Sequence, residues 1–234
     1  MALPKLNAPK YTMTVPSTKV TVDYRPYLVK EEKLLMMAAE SKDEQAIIGA
    51  MKDLIETCTY GKVDPNKLTM YDLEYLFIKI RAKSVGESAK VKQACSSCDF
   101  KNEVTFNLDA VTVEQKDPDR GMNIDLADGI GLTMCYPDVN DIADLGNGSD
   151  IDKMMGMVKA SIASIYSNEE VWNVKEQSKE EVTSFIDSLT SAQFTMIRDH
   201  LENMPAATIT LDYKCSSCEA DNHVVLTGAQ NFFS

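Results

Sequence analysis

Two identical Cys-Ser-Ser-Cys units, Cys95–Cys98 and Cys215–Cys218, stand 116 residues apart (99–214) in a chain of 234 residues. Both continue in the same form: an acidic residue, two residues, Asn, one residue, Val, one residue, a large apolar residue. The first runs Asp99 to Asn102, Val104 and Phe106, the second Glu219 to Asn222, Val224 and Leu226. Each unit follows an apparent strand, so the pattern reads strand, knuckle, strand, twice. Two Cys in one tight turn can bind a single ion, and a second knuckle completes a tetrahedron of four thiolates. If they do, the chain must fold so that residues 95 and 215 meet. Loop-closure entropy permits this, since it rises only about 0.6 kcal/mol per doubling of length. A folded insertion would also bring its own ends together.

One structural zinc per chain, held by Cys95, Cys98, Cys215 and Cys218 in a zinc-ribbon-like module, is the favoured reading. The alternatives are paired disulfides or redox motifs, an iron–sulfur cluster, and a catalytic zinc. The N-terminus shows no basic patch followed by an apolar stretch, so no secretory signal is expected and a reducing compartment follows. There is no thioredoxin-like βαβ pattern to support redox work. A catalytic zinc keeps an open position, with His or Glu nearby. His223 is close, but its alternating neighbours place it on the surface. Cys58 and Cys135 stand alone and read as small buried apolar residues.

The periodicities around the knuckles predict an α+β chain. Tyr11, Met13 and Val15, then Val20, Val22 and Tyr24, alternate as in an N-terminal β-hairpin. Val29–Ala39 is rich in helix formers. Ser41 with Glu44, Thr69 with Asp72, Ser178 with Glu181 and Thr190 with Gln193 are spaced as capping boxes. The helices they open carry Ile47 to Cys58, Leu73 to Ile80, Val182 to Ile186 and Phe194 to Leu201 on apolar faces. Met154, Met157, Val158, Ser161, Ile162 and Ile165 read as one further helical face. Short strands are expected over 90–137 and 207–213. The expected partition is a hairpin and helices over 1–89, a ribbon-like β module from 90–137 and 206–234, and a helical insertion over 138–205.

Composition narrows the function. With 24 Lys and Arg against 36 Asp and Glu, the formal charge is −12. Nucleic-acid affinity comes largely from neutralising phosphates, and no dense basic block is present. No apolar run approaches the roughly 20 residues that span a bilayer. Phosphate-binding, dinucleotide, zincin and nucleophile-elbow motifs are all missing, and two His leave little for a His-dependent triad. Thirteen Met fit core filling or an adaptable partner groove. Phe232-Phe233 near the C-terminus would dock on the chain itself or on a partner.

Several stretches together carry a family resemblance: Ala2–Leu6, Tyr24-Arg25-Pro26-Tyr27 through Lys33, Asp72–Phe77 through Arg81-Ala82-Lys83-Ser84-Val85-Gly86-Glu87, the first Cys pair and the Phe-Phe end. The chain resembles the baseplate hub subunit family of T-even-like contractile-tailed bacteriophages, most over 1–107 and again at the second Cys pair. The resemblance implies a hub protein, either subunit or assembly chaperone, that works by binding other hub proteins. It implies host-cell cytoplasm during assembly, with the virion baseplate as a further location. It carries no catalytic residues. A zinc-dependent hydrolase and a nucleic-acid-binding zinc-ribbon protein are the competing functions.

Overall fold

A computed structural model describes residues 7–143, 145 and 149–228. The fold is mixed α and β, in two compact units: Met1–Glu114 with Ala206–Ser234, and Gln115–Pro205.

The first unit opens with an antiparallel hairpin of β1 (Tyr11–Thr14) and β2 (Thr21–Tyr24). Its alternation buries Met13, Val22 and Tyr24, as period two requires. Three helices follow: α1 (Val29–Ser41), α2 (Glu44–Cys58) and α3 (Met70–Val85). The Thr69–Asp72 box caps α3 as expected, and Gly86 ends it at φ 120°, a conformation that suits glycine. Asp72 is fully buried and does more than cap. Its Oδ1 also accepts from the Ser17 amide at 2.9 Å, tying the hairpin turn to α3.

Two hairpins then carry the knuckles. β3 (Ser88–Ala94) pairs with β4 (Lys101–Asn107), and β10 (Ala206–Lys214) pairs with β11 (Asp221–Thr227). β5 (Thr112–Glu114) adds to the other edge of β10. Ile78 and Ala82 of α3 share one buried cluster with Val91, Phe106, Val111, Ile209 and Leu226. The helical region and the knuckle hairpins therefore share one core.

The second unit is built on an antiparallel sheet ordered β6-β7-β8-β9: β6 (Asn123–Ala127), β7 (Ile130–Met134), β8 (Ile162–Tyr166) and β9 (Val171–Asn173). Its helices are α4 (Val139–Ala143), α5 (Asp150–Ala160), α6 (Lys179–Asp187) and α7 (Ser191–Glu202). The Ser178–Glu181 and Thr190–Gln193 boxes both form. Leu132, Met134, Val158, Ile162, Val182, Ile186 and Ile197 make the core.

Three expectations change here. Strand β7 pairs with β6 and with β8 rather than with the knuckle hairpins, so residues 115–205 form a unit that carries a sheet of its own. The helix expected through Ile165 stops at Ala160, and Ile162 and Ile165 lie on β8. Met134 pairs with Ile162 and Thr133 with Ser164, leaving Ala163 as an extra residue. That bulge puts Ile162 and Ile165 on one buried face three residues apart, imitating helical spacing. In the first unit, Asp43 rather than Ser41 caps α2, accepting from the Gln45 amide at 3.0 Å. Ser41 Oγ instead donates to Ala38 O, and α1 ends on Lys42 in the left-handed region.

Candidate metal centre

Each Cys-Ser-Ser-Cys unit forms the tight turn of its hairpin. In the first knuckle the Cys95 amide donates to Phe100 O at 2.9 Å and the Asp99 amide to Cys95 O at 3.0 Å. In the second, the Cys215 amide donates to Ala220 O and the Glu219 amide to Cys215 O, both at 2.9 Å. Asp99 and Glu219 adopt φ 57° and 61°, so both knuckles turn through a residue in the left-handed region, which a short polar side chain such as Asp tolerates better than most.

The fold brings both knuckles together. All four sulfurs lie within 4.8 Å of one another. Cys95 Sγ is 3.7 Å from Cys218 Sγ, and Cys98 Sγ is 3.7 Å from Cys215 Sγ. A regular tetrahedron with metal–sulfur bonds of about 2.3 Å has edges of about 3.8 Å, so the spacing fits a zinc-sized thiophilic ion. No disulfide is formed among the six cysteines. Cys95 and Cys215 are buried, while Cys98 and Cys218 face solvent.

Two asparagines hold the knuckles together reciprocally. Asn102 Oδ1, from the first hairpin, accepts from the Ser216 amide at 2.9 Å and the Ser216 hydroxyl at 3.0 Å. Asn222 Oδ1, from the second, accepts from the Ser96 amide at 2.9 Å and its hydroxyl at 3.1 Å. Each Nδ2 donates to its own turn, to Phe100 O and Ala220 O, and points at the opposite buried sulfur, Cys215 or Cys95, at 3.6 Å. Both are buried. Sequence reading registers this Asn as a repeated letter and gives it no role. Its recurrence four residues after the second Cys in both units is the signal that could have found it.

Donors to the sulfurs set their acidity. Amide donation from Cys218, then from Ser217, brings the Cys215 thiol down to about 6, with help from Asn102. Ser97 and Cys98 amides likewise lower Cys95. Cys98 also receives an amide, from Phe100, but the thiols of Cys218, Cys215 and Cys95 together with desolvation outweigh it and push Cys98 up to about 12. Four thiolates this close need a cation to share, and a bound metal deprotonates a coordinating thiol. An ion with four sulfur ligands has no position left for water, the arrangement of a structural site.

The remaining candidates lie elsewhere. His223 is exposed and bonds Asp212 at 2.7 Å, outside the sulfur cluster. Cys58 is fully buried, its thiol raised to about 11 by desolvation, and Cys135 is half-buried. Phe232 and Phe233 lie outside the described residues. No described helix is long and apolar enough to cross a membrane.

Fold and centre define a class: an α+β protein in which two distant hairpins close on one four-cysteine cluster. The chain belongs to the T4 bacteriophage base plate protein family, whose family model matches residues 8–234. Neither a curated protein nor a solved structure matches it.

Proposed function

We propose that this chain is a non-enzymatic protein of the phage baseplate hub, acting through protein–protein contacts as subunit or assembly chaperone. One structural zinc, bound by Cys95, Cys98, Cys215 and Cys218, closes its ribbon-like module. The family match over residues 8–234 supports the baseplate role. The sulfur spacing, with every pair within 4.8 Å, supports the zinc. Phe232 and Phe233 are proposed as a partner anchor, since adjacent aromatic side chains are rarely left in water.

Metal content with X-ray absorption at the metal edge tests the zinc. One zinc per chain with four sulfurs at about 2.3 Å is expected, and a mixed sulfur, nitrogen and oxygen shell overturns the site. Quantifying the chain in purified particles and in infected-cell lysate separates subunit from chaperone. Binding to no hub protein in co-purification overturns the hub role. Deleting 228–234 should weaken that binding and leave the fold intact.

A further inference from the structure

The unit Gln115–Pro205 carries an apolar groove that its own elements leave open. Leu132, Ile165 and Trp172 are successive cross-strand neighbours on β7, β8 and β9. They are 0%, 9% and 37% exposed, so cover is lost toward the edge strand. Ile130, Ile165, Trp172, Val182 and Phe185 line a groove of about 330 Å³ there. β9 has a strand partner on one side only among the described residues.

Two turns that carry acidic residues adjoin this groove. A Cβ on Gly129 would stand 2.2 Å from the Asn168 side chain, so the turn at 128–129 touches the turn at 167–170. Ile130 and Ser167, which follow and open these turns, both line the groove. Asp128, Glu169 and Glu170 are exposed on the two turns, and none has an ion-pair partner among the described residues. Glu181 lines the groove itself. An apolar slot of this size takes one or two large side chains, and its rim favours positive charge beside them. A second copy of this chain would bring a net −12 to the same rim, and nucleic-acid phosphates carry the same sign.

We propose that the groove docks an extended, basic segment of another protein chain. One large apolar side chain of that segment enters between Ile130, Trp172 and Phe185, and its Lys or Arg neighbours meet Asp128, Glu169 and Glu170. The inference rests on the reading that this protein acts by protein–protein contact, and it names the chemistry of one partner.

Trp172 is the only Trp in the chain, so its fluorescence reports on the groove directly. The probes are two short amidated peptides, one alternating Lys with Val and Phe, the other alternating Glu with Val and Phe. The Lys peptide should shift Trp172 emission to shorter wavelength in a saturable titration, and the Glu peptide should not. Moderate salt should weaken the Lys titration about tenfold. Glu169→Lys with Glu170→Lys, on an exposed turn, should weaken it by a similar factor with an unchanged melting curve. Equal titration by both peptides, no saturable shift, or emission that changes with protein concentration alone overturns the inference, the last by placing a second copy in the groove. Co-purification of baseplate proteins separates the two levels. If the wild-type chain retains none, the functional reading fails. If it retains them and Trp172→Ala retains them equally, the groove inference fails alone.

Discussion

Replacing Asn102 with Ala should weaken metal binding although the side chain is not itself a ligand. The side chain accepts two hydrogen bonds from Ser216, donates one to Phe100 O, and directs a longer contact at Cys215 Sγ. Three ordinary bonds at about 1 kcal/mol each give about 3 kcal/mol. Ser216 is exposed, so water recovers part of this, leaving about 2 kcal/mol. At about 1.4 kcal/mol per tenfold, that is roughly a 30-fold loss of affinity. The figure falls inside the 10–100-fold typical of groups that orient metal ligands. Competition between the protein and a zinc-chelating dye measures it. Asn222→Ala should match Asn102→Ala, because the two residues make the same bonds in exchanged places. Ser217→Ala is the control: its amide reaches Cys215 Sγ, but its hydroxyl has no bond in the centre. A change under about threefold for Asn102→Ala, or an equal loss for Ser217→Ala, refutes the argument that the reciprocal bonds hold the knuckles in register.

Other outcomes follow from the same structure. Asp72→Ala should cost about 2–3 kcal/mol in chemical denaturation, from the lost cap and the lost Ser17 bond in a buried place. An effect no larger than a surface cap would show that the hairpin turn gains nothing from Asp72. His200 is buried against Tyr136 with neither ring nitrogen bonded among the described residues, and desolvation, then the charge of Arg120, hold its pKa below the usual value. Since the unfolded chain takes up that proton first, stability should fall as pH drops below about 6.5 toward the lowered folded value. His200→Phe should flatten the melting temperature between about pH 7 and about pH 5.5, and an unchanged slope would exclude His200 as its source. With a thiol reagent, the metal-bound chain should react slowly, chelation should release the four knuckle thiols, and Cys58 should stay inert until the chain unfolds, since burial raises it to about 11. Early labelling of Cys58, read by mass spectrometry, would contradict that.

Local structure is legible in the order of the residues. Boxes at Thr69, Ser178 and Thr190 form because each needs only two side chains and two amides three residues apart. The 11–24 hairpin follows from alternation, and the knuckles from two cysteines on one turn. Even the meeting of Cys95 with Cys215 was legible, because a repeated half-site implies its complement. Where two local choices competed, the letters were ambiguous: Ser41 and Asp43 both precede α2, and backbone geometry selected the carboxylate that reaches Gln45.

Long-range pairing set what remained. The Ala163 bulge exists because β8 must pair with β7, and without that partner the spacing of Ile162 and Ile165 reads equally well as helix. Strands 123–134 could join either sheet by their own period. Pairing with 162–166, at the far end of a helical stretch, placed them. Asn102 and Asn222 acquired their work by reaching across to Ser216 and Ser96, more than a hundred positions away in the chain. Periodicity records which face a residue turns inward. It does not record which distant backbone that face will meet, and the reciprocal bonds around the four sulfurs depend on that meeting.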